Sequence, residues 1–501
     1  MLENLAIGFS FVFQPFTFLM LVFGVVFGVI VGALPGITGS LGIILLLPLV
    51  SQLDSKVAMV MLCGLFSSSM FGGSISAILI RTPGGASAAA TMIDGYPLAQ
   101  KGYAGKAIGV AAIASFIGGI ISTACLILIA PQLSKVALQF HGADYFSLAV
   151  FGLSMIGGSS GKNVVKGLIS GVFGMFIATV GIDSILGTTR FTFGSVSLMS
   201  GFPLLTVLIG VFAISEVLQT AGKRFSEIEL PKQKLKNVLP TWKEIRSIMK
   251  VSGISGLIGV FIGIIPGTGG AISSFMAYNF CKRISKHPEE YGEGALEGIA
   301  APESSNNGTT GGALIPMLTL GVPGDVVTSV MLGALVLIGV RPGPLIFVEN
   351  APLVYTVFSA MIVIQFVMLA ISLGFARISP MILKMPQNML MPIVMVLCVV
   401  GTFSLANQLY HVFIALIFGL VGLFMRRFGF PAAPMILGVI LGPMAEANLN
   451  RALIVTKNDW TILFTRPLSL AFLIVSALFI GMTVYTNLKD KKKTMAVKEA
   501  K

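Results

Sequence analysis

The sequence predicts an all-α polytopic membrane protein, built as two inverted repeats with discontinuous helices, and three observations carry that prediction. Of 501 residues, 55% are hydrophobic and only 11% charged, where a soluble domain carries about a quarter charged; the mean hydropathy is +0.94. Long stretches run without Asp, Glu, Lys or Arg, and a Gly/Pro motif pair occurs twice in the same order. This composition excludes a soluble enzyme and a disordered chain. A net charge of +13 invites a nucleic-acid reading, but the basic residues gather in two short segments, which suits juxtamembrane loops.

The charge-free runs cover residues 4–53, 57–80, 107–134, 191–215, 251–281, 304–324, 350–376, 385–425 and 467–488, with shorter ones at 145–161, 167–182, 326–340 and 428–445. A span needs about 20 apolar residues, and several long runs hold two segments, so the chain is expected to form about 10–14 membrane elements. The first apolar stretch lacks a basic n-region and a small-residue cleavage site, so it is expected to stay in the mature protein. The four cysteines (Cys63, Cys125, Cys281, Cys398) make no CxxC and the histidines no metal-binding pair, so neither a disulfide nor a metal role is assigned. Gly157-Gly-Ser-Ser-Gly-Lys162 departs from the phosphate-loop spacing because Asn163 follows the lysine; it reads as a turn between spans.

Self-similarity organises the rest. Val31-Gly-Ala-Leu-Pro-Gly-Ile-Thr-Gly39 returns as Ile262-Gly-Ile-Ile-Pro-Gly-Thr-Gly-Gly270 at an offset of 231, so that Gly28, Gly32, Pro35, Gly36 and Gly39 match Gly259, Gly263, Pro266, Gly267 and Gly270. Glycines four apart share a helix face and let another backbone approach closely; the stripe then meets Pro-Gly, where a helix breaks. A second pair follows each copy: Ser67-Ser-Ser-Met-Phe-Gly-Gly73 matches Asn306-Asn-Gly-Thr-Thr-Gly-Gly312, and Pro83-Gly84 matches Pro323-Gly324. The chain accordingly divides into a first transmembrane repeat (1–221), a basic linker (222–250), a second repeat (251–486) and a basic tail (487–501). Lysines and arginines crowd both basic segments, whereas none precedes Lys56. By the positive-inside rule the linker and tail are cytoplasmic and the N-terminus outside, which inverts one repeat relative to the other. The basic tail also suits anionic membrane lipids.

In inverted-repeat folds, broken helices meet near the midplane, where terminal amides face anions and unwound carbonyls hold cations. The breaks expected here are Gly32, Pro35, Gly36, Pro83, Gly84, Pro266, Gly267, Pro323 and Gly324. Beside them stand hydroxyls and amides suited to a carboxylate or Na⁺: Thr38, Ser40, Ser67, Ser68, Ser69, Thr82, Thr268, Asn306, Asn307, Thr309 and Thr310. Membrane serines and threonines often bind only their own helix backbone; grouping at matched breaks is what marks these as candidate substrate ligands. Arg81, just before Thr82-Pro83-Gly84, reads either as a bidentate carboxylate ligand or as a structural partner of Asp94 or Asp325, or a snorkelling residue. Glu303 reads as a Na⁺ ligand, a proton carrier, a cap of the helix that follows it or a loop bridge; with Asn306 it is a candidate for ion coupling. Glu216 reads as structural or interfacial. No catalytic constellation emerges, and no resident cofactor or metal is expected beyond Na⁺ (or H⁺) as coupling ion.

Ala300-Ala-Pro-Glu-Ser-Ser-Asn-Asn307, Gly311-Gly-Ala-Leu-Ile-Pro316 and Leu320-Gly-Val-Pro-Gly324, taken with Gly32-Ala-Leu-Pro-Gly-Ile-Thr-Gly39 and Arg341-Pro-Gly-Pro344, resemble the large permease subunit of the tripartite tricarboxylate transporter family. The resemblance spans nearly the whole chain and is densest over residues 24–105 and 259–345. It implies ion-driven uptake of a citrate-like di- or tricarboxylate across a bacterial inner membrane. It also implies a small four-helix membrane subunit and a periplasmic solute-binding protein as partners. Arg81 and Asp325 are charged where that family more often has neutral residues. Two rival readings are a single-component organic-anion/Na⁺ symporter and an integral-membrane transferase; the latter needs convergent acid–base or metal-binding groups that the sequence does not offer.

Overall fold

The computed structural model describes residues 1–155, 164–221, 238–376, 378–379, 383 and 387–499. The Gly157–Lys162 motif and residues 222–237 of the basic linker lie outside them. Among the described residues seven helices are long and apolar enough to cross a membrane, and seven shorter apolar helices of 10–17 residues accompany them. The fold is therefore that of an all-α polytopic membrane protein, with one short hairpin pairing β1 (Gly181–Ile182) and β2 (Thr189–Arg190).

The first part of the chain forms α1 (Leu2–Val12), α2 (Pro15–Ala33), α3 (Gly39–Val50), α4 (Ser55–Ile80), α5 (Met92–Leu98) and α6 (Ala104–Ala137). Next come α7 (Gly142–Ser154), α8 (Val164–Ala178) and α9 (Leu204–Thr220). The last part holds α10 (Trp242–Ile264), α11 (Gly269–Ile284), α12 (Leu296–Leu320), α13 (Val326–Leu337), α14 (Ala351–Phe375), α15 (Gln387–Ala406), α16 (Leu409–Arg427), α17 (Ala432–Val455) and α18 (Pro467–Glu499). Because α10 starts at Trp242, the end of the basic linker is already helical. Its start is a capping box, in which Thr241 Oγ1 accepts from the Glu244 amide and Glu244 accepts from the Thr241 amide at 2.7 Å.

Two compact units result, and each draws on both halves of the sequence. One comprises Met1–Lys135 and Thr220–Leu405, the other Val136–Gln219 and Ala406–Lys501. In the first unit α2 lies along α4, and α10 along α12. The glycine stripes cause this intimacy: a methyl added at Gly28 would run into Ser68 Oγ and the Leu65 carbonyl, and one at Gly259 into the Ser305 carbonyl and Gly308. α12 is buried on every side. A helix with that much Ser, Thr and Asn is tolerated at membrane depth because protein, not lipid, surrounds it.

In the second unit α17 packs on α7 and α8. Charge pairs brace it: Arg466 Nε donates to both oxygens of buried Asp144 at 3.1 and 3.0 Å, Arg190 pairs with Glu446, and Arg426 with Glu216. Glu216 is thus a structural partner.

Candidate functional site

The Pro-Gly breaks of the first unit repeat one backbone geometry. Leu34, after α2, has φ −80° and ψ 118°; Ile265, after α10, has φ −79° and ψ 117°. Gly36 and Gly267 follow at φ 84° and 78°, values an L side chain rarely adopts, which is why glycine follows the proline at both. α3 and α11 then begin. The ends of α4 and α12 match as well. Arg81 and Gly321 are both left-handed C-caps, at φ 56° and 69°, and the next amides, Thr82 and Val322, donate back to Ser76 and Pro316 carbonyls at 3.4 and 3.3 Å. Past the second Pro-Gly the copies diverge. Asp325 caps α13 through Thr328, whereas Pro83-Gly84 leads only into a single turn at Ala86–Ala88.

This packing corrects the register of the second motif pair. The sequence match sets Gly72 against Gly311; in the structure Gly32 meets Gly72 as Gly263 meets Gly312, an offset of 240. Asn307 is therefore the counterpart of Ser67, and Thr309 of Ser69. Gly311 faces Ser122 of α6 instead.

The halves interlock. α3 packs on α13, and α11 on the Ala86–Ala88 turn, so each helix that follows a first break lies against the segment that follows the other half's second break. Gly39 sits on Ser69 and Val327; Gly270 sits on Asn306 Oδ1, Ser87 and Thr309. Asn306 Nδ2 donates to the Met70 carbonyl at 3.2 Å, linking α12 to α4. Among the described residues its Oδ1 has no partner, nor has either polar atom of the Asn307 side chain, although both residues are fully buried. Buried amides without partners are rare in folded proteins, which sets these two residues apart from the hydroxyls around them. Gln365 of α14 behaves alike: Nε2 reaches Ser67 Oγ at 3.4 Å, while Oε1 is unpartnered and lies against Gly119 of α6.

The remaining expected residues divide by environment. Ser40, Ser67, Ser68, Ser69, Thr309 and Thr310 are buried, but Ser68, Ser69, Thr309 and Thr310 donate to carbonyls of their own helices (Gly64, Phe66, Asn306 and Asn307). Thr268 donates back across the break to the Ile262 and Ile265 carbonyls at the end of α10. Thr38 caps α3 and bonds Ser40 at 2.8 Å. Arg81 and Thr82 are exposed; the Arg81 guanidinium stacks 5.6 Å from the Tyr96 ring, and among the described ion pairs it joins neither Asp94 nor Asp325. Asp94 is instead a clamp, accepting at 2.8 Å from each of the Gly292, Gly294 and Ala295 amides and at 2.9 Å from Tyr278 Oη.

Glu303 is not a cap. α12 starts at Leu296, which puts Glu303 about two turns inside at 3.6 residues per turn, where Ser74 of α4, Thr91 and Ser115 of α6 all donate to its carboxyl group. The sequence reading missed these three hydroxyls and Gln365. A lone amide inside the charge-free run 350–376 was a usable signal for Gln365; isolated hydroxyls gave none. A cavity of about 400 Å³ lies elsewhere in this unit, lined by Lys250, Lys286, His287 and Tyr291 among others, and touches none of the breaks.

The fold and these convergent groups define a multi-pass membrane protein whose halves each bring a broken-helix motif to one buried polar region, the arrangement of a permease rather than an enzyme. The chain belongs to the tripartite tricarboxylate transporter TctA family, whose model matches residues 18–437. An Agrobacterium vitis protein described as an uncharacterized 52.8 kDa protein in the TAR-I ttuC' 3' region is 34% identical over 502 residues, covering 100% of this chain and 99% of the relative. Another from that organism, an uncharacterized protein in the TAR-II ttuC' 3' region, is 31% identical over 241 residues, 48% of this chain and 100% of the relative. No solved structure matches the chain.

Proposed function

We propose that this permease is the large membrane subunit of a tripartite carrier in a bacterial inner membrane, taking up a citrate-like di- or tricarboxylate with an ion gradient. A periplasmic solute-binding protein delivers the substrate, and a small four-helix membrane subunit completes the assembly. The Asn306 Oδ1 and the whole Asn307 side-chain amide, buried beside the interlocked breaks with no partner among the described residues, are the observation that carries this reading. Amide donors suit carboxylate oxygens and amide oxygens suit Na⁺. Neutral oxygens outnumber acids there, which favours Na⁺ over a chain of carboxylates as the coupling chemistry at the breaks. Exposed Arg81 supplies positive charge on the approach. In this proposal the repeats are inverted, with the linker and tail cytoplasmic.

The test is uptake into vesicles that contain the permease with a candidate solute-binding protein and a candidate small membrane subunit. Labelled di- or tricarboxylate should accumulate when an inward Na⁺ gradient is imposed at fixed pH. Uptake indifferent to Na⁺ yet responsive to a pH step would reject Na⁺ coupling. Uptake by the permease alone would favour a single-component symporter.

A further inference from the structure

Glu303 stands apart from the neutral chemistry of the breaks. It is 0% exposed, and its carboxyl group is ringed by three hydroxyls from three other segments: Ser74 and Thr91 on Oε1, and Ser115 on Oε2 at 3.1 Å. Among the described residues it forms no ion pair. Of the charged groups on the helices packed around it, Arg246, Lys250 and Arg283 are exposed, and others have partners of their own. Asp94 is held by three amides and Tyr278, Lys106 of α6 pairs with Glu244 of α10 at 2.6 Å, and Glu297 takes Ser285 and Tyr291. The other charged residue on α12 is Glu297, whose charge opposes a second negative charge rather than balancing it.

An ionised carboxylate buried without a counter-charge costs several kcal/mol. A neutral carboxyl does not, provided its O–H finds an acceptor. Hydroxyls supply that, because each can donate or accept: a protonated Glu303 donates to one of the three and accepts from the others, leaving no oxygen unpaired.

We infer that Glu303 holds a proton in this conformation and is the group that carries it through the transport cycle. The proton leaves Oε for a water molecule when the cage opens to an aqueous side, and a proton from water returns before the cage closes; no other bond changes. Ser74, Thr91, Ser115 and Glu303 come from four segments, so any movement of α12 relative to α4 or α6 opens the cage. The transport role rests on the carrier reading above, but the protonation does not.

Infrared spectroscopy of the purified full-length permease tests the protonation without transport. At neutral pH the protein should show a carboxylic-acid C=O band that Glu303→Gln removes and that Ser115→Ala shifts by deleting one hydrogen bond. Should the Gln variant fail to fold, the Ser115→Ala shift still decides. A band untouched by both substitutions, or one abolished by adding Na⁺ at constant pH, overturns the inference. In vesicles with a pH dye inside, the protons moved per carboxylate should fall by about one in Glu303→Gln, as expected for the loss of a single membrane carboxyl relay; an unchanged ratio overturns the role in coupling. A wild-type protein that moves no carboxylate at all would reject the carrier reading and leave the infrared result standing.

Discussion

The Gly267 amide donates to the Gly324 carbonyl at 2.8 Å, so the first Pro-Gly break of the second half is tied directly to its second. Both glycines follow prolines that end a helix, and the bond satisfies a donor that the broken helix can no longer pair internally. The first half makes a related tie, from the Gly84 amide to the Gly73 carbonyl at 3.1 Å.

A methyl at Gly324 would lie 2.6 Å from the Gly263 carbonyl and 2.7 Å from Ala313 Cβ; one at Gly84 would strike the Gly32 carbonyl. Backbone cannot yield cheaply there, so Gly324→Ala and Gly84→Ala should each destabilise the purified protein by about 1–3 kcal/mol. Gly253→Ala is the control, since a methyl there meets nothing within 4 Å. It should match the parent or gain up to about 1 kcal/mol from helix propensity. Thermal unfolding in detergent measures all three, and equal behaviour would refute close packing at the breaks.

Asp94 makes a different prediction, because its clamp joins the segment after the second break of the first half to the loop that enters α12. Removing the carboxylate strands three amides at Gly292, Gly294 and Ala295, and each unsatisfied buried group costs about 1–3 kcal/mol. Asp94→Ala should therefore lower stability by upwards of about 3 kcal/mol, and Tyr278→Phe, which deletes one bond, by about 1–2 kcal/mol. Unfolding midpoints that rank the two variants in the opposite order would show that the clamp does not support the fold.

Topology follows from charge placement. Single cysteines introduced at Ser226, outside the described residues, and at Thr494 should resist an impermeant thiol reagent applied to intact cells and react once the cells are opened, if the positive-inside rule holds for these two lysine-rich segments. Labelling of either from outside would remove the basis for inverting the repeats.

The breaks were legible because proline and glycine announce backbone conformation locally: Pro35-Gly36 and Pro266-Gly267 match in sequence and then in dihedral angles. The register of the second motif was not, since aligning one Gly-Gly on another ignores that Gly311 serves α6 while Gly312 serves α10. Of the readings the sequence left open at Glu303, the structure removes the cap, because α12 begins seven residues earlier at Leu296. Its cage could not be read from sequence, because Ser74, Thr91 and Ser115 are ordinary hydroxyls brought together only by tertiary packing. Arg81 shows the converse. A lone charge beside a break suggested a ligand, and part of its placement is a left-handed helix end, where glycine stands in the other copy.

Asn306 and Asn307 give the most direct test of the proposed site. Of the candidate side chains they alone combine complete burial with polar atoms that no described residue satisfies, whereas the hydroxyls of Ser68, Ser69, Thr309 and Thr310 are already taken by their own helices. If the proposed site is right, replacing either asparagine with Ala should remove a hydrogen bond to a charged ligand, at about 1.5–3 kcal/mol, or roughly 10–150-fold in apparent affinity for the carboxylate or its coupling ion. Ser68→Ala should weaken transport far less than either, because it deletes only a bond within α4. Asn306 also donates to Met70, so Asn306→Ala carries a stability cost that Asn307→Ala does not, and membrane abundance must be measured beside uptake. If both asparagine variants insert at normal levels and transport with unchanged affinity for substrate and ion, the buried amides serve packing alone.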